Sequence, residues 1–220
     1  MIDSLDENVG RLLRRLEETG LDRRTAVIFT SDNGGLLSNT SNAPLRAGKG
    51  SAYEGGVRVP FLVRWPGVTA PGSVCDVPVI GMDLYPTVLD MAGASLEPGQ
   101  IVDGVSLRPL LEGGGKPPRN WKRQALYWHY PHYHSGGATP YSAVRWGAWR
   151  LIEFQEDGRV ELYNLKDDVG ESQELSKKLP ERARELQRRL HAWRKEVGAQ
   201  MAVPNPNYDP ARERETERRK

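Results

Sequence analysis

Residues 25–35 read Thr-Ala-Val-Ile-Phe-Thr-Ser-Asp-Asn-Gly-Gly, and this stretch decides the fold class. Its short apolar, β-branched run, 25–30, predicts a strand that is buried on both faces, as in a parallel sheet. Asp32 and Asn33 follow that strand directly, at the end where open α/β sheets place their ligand crevice. The stretch therefore predicts an α/β fold with polar side chains at a candidate ligand site.

An amphipathic helix is predicted upstream of this strand. Its apolar side chains recur at intervals of three and four, and Gly20 is a favoured residue just past a helix end. A helix followed by a buried strand is typical of an α/β fold. The apolar face consists of Ile2, Leu5, Val9, Leu12, Leu13 and Leu16.

Downstream, the sequence predicts more α/β elements and then an antiparallel unit. Residues 31–56 have the composition of a long loop, residues 57–65 predict a strand, and residues 82–91 predict a helix. Segment 97–120 is rich in proline and glycine and predicts a boundary. Beyond the boundary, strand-like runs are found at 124–130, 141–154 and 160–165, followed by a helical pattern from about 181 to 197.

These patterns predict three regions. Residues 1–112 are expected to be the C-terminal part of an α/β catalytic domain. Residues 121–200 are expected to form an antiparallel sheet with a helix packed on it. Residues 201–220 contain three prolines and then a highly charged run, which predicts a disordered tail.

Composition excludes some classes of function. The 220 residues contain 31 basic and 29 acidic side chains, so the formal charge of +2 gives no broad footprint for nucleic acid. The basic residues of the tail are mixed with glutamates, which favours a solvated end over a nucleic-acid arm.

No run approaches the roughly 20 apolar residues of a membrane span, and Met1 leads into a polar helix rather than an export signal. Cys75 is the single cysteine, so there is no intrachain disulfide to indicate a compartment.

The pair Asp32-Asn33 is a candidate metal site. A carboxylate and an amide side by side offer two hard oxygen ligands of the kind that Ca²⁺ or Mg²⁺ binds. The alternative is a plain turn, because Asn-Gly is a common turn dipeptide.

Lys49 is a candidate anion-binding residue. It lies in the glycine-rich segment 46–60, where flanking glycines let the backbone bring its ammonium close to an anion. A nucleotide-binding phosphate loop is excluded by spacing, because that pattern requires glycine at the position of Ala43. The alternative is a solvated lysine in a flexible loop.

Taken in order, these segments resemble the type I sulfatase family, whose fold is alkaline-phosphatase-like. The resemblance also includes later segments and extends from Met1 to about Val197. Those segments are Met-Asp-Leu-Tyr-Pro-Thr-Val-Leu-Asp at 82–90, Asp-Gly-Val-Ser-Leu at 103–107, Ala-Val-Arg-Trp-Gly-Ala-Trp-Arg-Leu-Ile at 143–152 and Glu-Leu-Tyr-Asn-Leu-Lys-Asp-Asp at 161–168.

The resemblance implies roles for particular residues. Asp32 and Asn33 match the family's second pair of metal ligands, usually for Ca²⁺, with Mg²⁺ possible. Lys49 matches the catalytic lysine that contacts the sulfate. In such enzymes a cysteine or serine is oxidised to formylglycine, whose hydrated form attacks sulfur while the metal and the lysine stabilise charge on the sulfate oxygens.

The sequence departs from the family in one respect. The formylglycine signature, Cys or Ser followed by x-Pro-Ser-Arg, does not occur in it, and Cys75 in Cys-Asp-Val-Pro is interpreted as structural. The paired aspartates that complete the family's metal site are absent too. We therefore expect these features in a part of the protein upstream of Met1, and the activity of this chain alone is an open question.

Residues 127–134 contain three histidines and four aromatic rings. Aromatic rings stack on sugars and histidine donates hydrogen bonds, so His129 and His132 are candidates for substrate binding at a pocket wall. The alternatives are histidines satisfied by hydrogen bonds at a strand end, and a zinc site, although the spacing matches no common zinc motif. Arg145 either joins this wall or forms a salt bridge.

The function that the resemblance implies is hydrolysis of a sulfate ester, with a sulfated carbohydrate favoured by the aromatic cluster. Two alternatives stay open: a phosphoester or phosphonate hydrolase on the same scaffold, and a truncated product without catalysis. Family habit alone implies a periplasmic or secreted protein. The sequence does not determine the oligomeric state.

Overall fold

The order of the helices and strands follows the predicted change from an α/β pattern to an antiparallel one. The structure is a computed structural model and describes residues 2–209. Its elements in chain order are α1 (Ile2–Glu18), β1 (Val27–Thr30), α2 (Glu54–Val57), β2 (Phe61–Arg64), α3 (Leu84–Met91), α4 (Arg108–Glu112), β3 (Ala125–Tyr130), β4 (Tyr141–Trp146), β5 (Trp149–Phe154), β6 (Val160–Asn164) and α5 (Pro180–Glu196).

The predicted first helix is confirmed as α1. Gly20 follows its end with a φ of +67°, the left-handed conformation that commonly terminates a helix. None of the α1 side chains is buried, and Leu12 is 60% exposed. Across residues 2–209, no helix combines the length and the apolar character that crossing a bilayer requires.

Strand β1 lies where the sequence predicts it, but its environment differs from the prediction. It pairs with β2 in an antiparallel two-stranded sheet, in which Phe29 lies opposite Leu62. Both side chains are exposed. The prediction of a parallel neighbour and two buried faces is therefore wrong for the described residues. An apolar run indicates that a strand is suited to burial. The direction of the neighbouring strand depends instead on the path of the long segment between β1 and β2.

The predicted antiparallel sheet is confirmed, with the order β3-β4-β5-β6. The prediction of one strand over 141–154 is wrong, because the chain turns at Gly147 and Ala148 to form two strands. Gly147 has a φ of +58°, the sign required at the first central position of a type II′ turn. A run of 14 residues is also much longer than the usual strand of five or six.

The two faces of this sheet are covered by different parts of the chain. On one face, Val144, Leu151 and Leu162 pack against α5, whose Leu186 and Leu190 are fully buried. This confirms the predicted packing of the last helix on the sheet.

On the opposite face of the sheet, the long loop supplies the covering residues. Ala52 is buried there with Ala143, Ile152 and Tyr163, and Tyr53 packs at the edge of the cluster. The glycine-rich segment around Lys49 is therefore held against the antiparallel sheet.

The predicted division into 1–112, 121–200 and 201–220 stays a prediction. Ion pairs join the first two regions: Arg123 contacts the buried carboxylate of Asp83, and Arg145 and Arg150 contact that of Glu54. Part of the predicted tail, from position 210 onward, lies outside the described residues.

Candidate functional site

The candidate site is built where the segment after β1 meets the segment before β2. The N–H of Gly34 donates to the carbonyl of Gly56 over 3.0 Å. A Cβ atom on Gly34 would lie 1.7 Å from the carbonyl oxygen of Gly55, so no larger residue fits without moving the backbone. Glycine at this position thus allows the loop after β1 and the helix α2, more than 20 residues apart in sequence, to approach closely.

Asn42 fixes the shape of the loop between those segments. Its Oδ1 accepts from the N–H of Gly35 over 2.9 Å, and its Nδ2 donates to the carbonyls of Gly35 (2.8 Å) and Ala47 (3.1 Å). The carbonyl of Gly35 also accepts from the N–H of Lys49 over 3.0 Å. The Lys49 backbone is therefore tied to the segment that carries Asp32 and Asn33. Asn42 is not recognisable from the sequence, because an asparagine in a polar loop carries no distinctive signal.

Asn33 and Lys49 line the same cavity, which has a volume of about 200 Å³. Tyr130, Tyr141 and His134 form part of its wall. Asp32 is exposed next to Asn33, and its Oδ1 accepts the N–H of Asn33 over 3.0 Å. The structure thus brings Asn33 and Lys49, two of the residues singled out from the sequence, to one cavity with Asp32 adjoining it.

The structure places the two predicted histidines away from this cavity. His129 lies on the α5 side of the sheet, where its Nδ1 is 2.8 Å from Ser142 Oγ and its Nε2 is 2.7 Å from the carbonyl oxygen of Gln200. His132 is exposed, with its ring edge against Tyr130 at a centroid distance of 5.4 Å. Side chains alternate along a strand, so His129 points away from the face that carries Tyr130. His129 therefore matches the alternative of a histidine at a strand end whose ring nitrogens are engaged in hydrogen bonds.

A buried cluster of charges, Glu54, Arg150 and Glu171, lies under the loop that carries Lys49. Arg150 Nη1 is 2.6 Å from Glu54 Oε1, and Arg150 Nε is 3.4 Å from Glu171 Oε1. Glu171 Oε2 also accepts the backbone N–H of Glu54 over 2.7 Å. Burial raises the pKa of Glu171 from 4.5 to about 7, against the opposing effect of the nearby Arg150 charge. This cluster, which no sequence motif indicates, connects α2 to β5 and to the segment after β6.

Two further arginines border the buried cluster. Arg46 donates to the hydroxyl of Tyr163 (2.9 Å) and to the carbonyl of Glu171 (3.0 Å). Arg145 Nη1 lies 3.7 Å from Glu54 Oε2, and burial lowers the pKa of its guanidinium. For Arg145 the structure therefore shows the salt bridge rather than a place at the wall of the smaller cavity.

A larger cavity, of about 600 Å³, lies at the other end of the β3–β4 hairpin. Leu126 and Arg145 line it, whereas Tyr130 and Tyr141 line the smaller one. None of the metal-binding or anion-binding candidates from the sequence contacts the larger cavity. We therefore assign the candidate site to the smaller cavity, where two independent sequence signals converge.

Two protein-family models match this chain. The model described as "Sulfatase" matches residues 1–94, and the model described as "N-sulphoglucosamine sulphohydrolase, C-terminal" matches residues 48–198. This chain belongs to the sulfatase family. The residues that line the smaller cavity all lie within the two matched ranges.

Individual proteins are similar over most of this chain. A "Sulfatase" from Formosa agariphila is 36% identical over 213 residues, which cover 87% of this chain and 38% of the relative. The crystal structure of Ps i-CgsB in complex with k-i-k-neocarrahexaose superposes with a TM-score of 0.75 at 33% identity, covering 88% of this chain and 41% of that one. A structure solved with its substrate D-glucosamine-2-N,6-O-disulfate gives a TM-score of 0.74 at 29% identity, with coverages of 88% and 39%.

A related hydrolase with a different reaction also shares the fold. A phosphonate monoester hydrolase from Silicibacter pomeroyi gives a TM-score of 0.68 at 27% identity, covering 87% of this chain and 38% of that one. These comparisons show that the chain is part of the alkaline-phosphatase-like sulfatase fold, with a C-terminal antiparallel sheet and helix. The chain spans about two fifths of the length of the relatives described here.

Proposed function

We propose that this chain is part of a sulfuric ester hydrolase and supplies residues of its sulfate and metal site. The observation that carries the proposal is the convergence of Asn33 and Lys49 on one cavity of about 200 Å³. Glycine contacts and the side chain of Asn42 hold both residues in place. A site whose charges are fixed before the substrate arrives stabilises developing charge without having to reorganise.

Lys49 is the residue that we propose to contact the sulfate. Its backbone is anchored to Gly35, while its side chain is exposed at the cavity. An ammonium in this position stabilises negative charge on the sulfate oxygens electrostatically and transfers no proton in doing so. Lys49 is therefore assigned the role of binding and of charge stabilisation.

Asp32 and Asn33 are the proposed metal ligands, with Ca²⁺ as the favoured ion and Mg²⁺ as the alternative. Their adjacent carboxylate and amide oxygens fit a hard divalent cation. Residues 2–209 contain no group of three or more His, Cys, Asp or Glu side chains placed to hold a metal. Since Ca²⁺ takes about six to eight oxygen ligands, these two residues fit as part of its coordination shell. Such an ion, when bound, supplies Lewis-acid stabilisation of the sulfate.

The nucleophile is proposed to be a formylglycine outside these 220 residues. Its signature, Cys or Ser followed by x-Pro-Ser-Arg, does not occur in the sequence. Cys75 is exposed and does not line the smaller cavity. The residues of this chain therefore bind and orient the sulfate for attack by a group that another segment supplies.

The proposed substrate is a sulfated carbohydrate. Tyr130 and Tyr141 line the cavity, and aromatic side chains of this kind pack against sugar rings. Two of the similar structures were solved with sugar ligands, a glucosamine disulfate and a neocarrahexaose. We further propose, from the family alone, that the protein is periplasmic or secreted.

A phosphonate or phosphoester hydrolase is the second candidate, because a phosphonate monoester hydrolase shares the fold. Phosphate and sulfate groups make similar demands on a cation and a lysine. Rates on an aryl sulfate and on an aryl phosphonate monoester, measured with the same preparation, distinguish the two candidates. Faster turnover of the phosphonate would replace the sulfatase proposal.

The test of this function joins the 220 residues to the formylglycine-bearing segment of a sulfatase and assays 4-nitrophenyl sulfate with Ca²⁺. We expect Ca²⁺-dependent turnover, and a loss of at least about 100-fold in kcat/KM for Lys49→Ala. Lys122→Ala is the matched control, since Lys122 is exposed and does not line the cavity. No turnover by the joined protein would overturn the proposal, and an unchanged rate for Lys49→Ala would overturn the assigned role.

A further inference from the structure

His134 lies at the candidate site without having a role in the proposed function so far. It follows β3, lines the same cavity as Lys49 and Asn33, and is partly buried. Its ring packs on the backbone next to Lys49, since a Cβ atom added to Gly50 would lie 2.1 Å from His134 Nδ1. The histidine is thus adjacent to the residue proposed to bind the sulfate.

The orientation of His134 is fixed by its own loop. Its backbone N–H donates to the carbonyl of Ala138 over 2.9 Å, and its carbonyl accepts from the N–H of Gly137 over 2.9 Å. The N–H of Gly136 donates to His134 Nδ1 over 2.8 Å. Three hydrogen bonds therefore hold the residue in a tight turn within the loop that connects β3 to β4.

The bond from Gly136 also determines which ring nitrogen carries the proton. A backbone N–H can only donate, so Nδ1 must be the unprotonated acceptor. The neutral ring then carries its hydrogen on Nε2, and a proton on Nδ1 would break the bond to Gly136. Among residues 2–209, Nε2 has no hydrogen-bond partner. The neutral histidine therefore has one N–H left to donate.

We propose that His134 is a specificity-determining residue that donates a hydrogen bond from Nε2 to a hydroxyl oxygen of the sugar that carries the sulfate. This inference rests on the proposed function, because it takes Lys49 as the residue that holds the sulfate. Lys49 recognises the anion common to all sulfate esters. His134 recognises the alcohol part, which differs between substrates. Loss of His134 is therefore expected to affect only ligands that carry the sugar, whereas loss of Lys49 is expected to affect every ligand that carries the sulfate.

The experiment measures binding of two probes, inorganic sulfate and glucosamine 6-sulfate, to the 220-residue chain in Ca²⁺ by isothermal titration calorimetry. We expect His134→Phe to weaken glucosamine 6-sulfate by about fivefold, the usual effect of one neutral hydrogen bond, and to leave inorganic sulfate unchanged. Lys49→Ala is expected to weaken both probes. His134→Gln, which can still donate from its amide nitrogen, is expected to recover part of the lost affinity.

His191→Phe is the matched control, because His191 lies on α5, across the sheet from the cavity, with its side chain half exposed. It is expected to bind both probes like the wild type. A two-bond ¹H–¹⁵N correlation spectrum should also show His134 protonated at Nε2.

The outcomes separate the two proposals. Equal weakening of both probes by His134→Phe, or no weakening of either, would overturn the role of His134 while leaving that of Lys49 in place. A wild-type chain that binds neither probe, or a Lys49→Ala variant that binds both normally, would overturn the sulfate site and the role of His134 with it. A spectrum that shows protonated Nδ1 would contradict the tautomer on which the inference depends.

Discussion

Replacing Glu171 by glutamine tests whether the buried charge cluster destabilises the fold at neutral pH. The side chain is fully buried, and burial raises its pKa from 4.5 to about 7. Because the folded state holds this proton more tightly than the unfolded state, the group's contribution to stability is fully present below pH 4.5. That contribution is lost as the pH rises through 7.

The size of this effect follows from the pKa. Each tenfold change in proton affinity is worth about 1.4 kcal/mol, so raising the pKa from 4.5 to about 7 corresponds to about 3 kcal/mol. Glutamine has a similar shape and does not titrate. The free energy of unfolding of the wild type, minus that of Glu171→Gln, is therefore expected to fall by about 3 kcal/mol between pH 4.5 and pH 8.

Urea unfolding of both proteins at pH 4.5, 6 and 8 measures this difference. Glu97→Gln is the control, since Glu97 is exposed and its removal deletes the same charge without changing the cluster. A wild-type-minus-variant difference that stays constant within about 0.5 kcal/mol over this range would refute the reasoning. A difference that rises with pH would show that Arg150 keeps Glu171 ionised in the folded protein.

Three further predictions concern the packing around the site. Arg150→Met leaves two buried carboxylates without their counter-charge. Urea unfolding should therefore show that the free energy of unfolding falls by about 3–5 kcal/mol at pH 8 and by less at pH 4.5. Equal losses at the two pH values would contradict this. Gly34→Ala should lower the free energy of unfolding by about 1–3 kcal/mol, because the new Cβ would overlap the carbonyl of Gly55. Gly81→Ala is the control, since a Cβ there meets no atom within 4 Å. Its loss of stability in the same assay should be less than half as large. Leu186→Ala removes a fully buried side chain between α5 and the sheet and should lower the free energy of unfolding by about 2–5 kcal/mol; a change below about 1 kcal/mol would show that the helix contributes little to stability.

Much of the fold could be predicted from the sequence because the signals are local. The spacing of apolar residues predicts α1 and α5, and glycines predict the ends of both helices. The other strand positions are predicted approximately, but two predictions are wrong. The predicted strand over 57–65 is a strand only at Phe61–Arg64, because Val57 ends the short helix α2, and the run 141–154 contains a hairpin turn at Gly147 that its uniform strand propensity does not indicate. The direction of β2 relative to β1 is not a local property, and the prediction of a parallel arrangement failed there.

The sequence by itself determined the family and the pair of residues on which the proposed site depends. Asn33 and Lys49 stand in two separate glycine-containing motifs, each of which the resemblance assigns a role. The contact of Gly34 with Gly55, which brings the two segments together, belongs to the tertiary structure. Only the tertiary structure decided which histidine lies at the cavity. The alternation of side chains along β3 directs His129 toward α5, and the loop after β3 brings His134 into contact with Gly50. The tertiary structure also decided the partner of the Glu54 carboxylate, which is Arg150, 96 residues away in sequence, and the acceptor of the Glu54 backbone N–H, which is Glu171, 117 residues away. Buried charges need partners of opposite sign wherever the fold brings them together, and no pattern within a short window of sequence specifies that meeting.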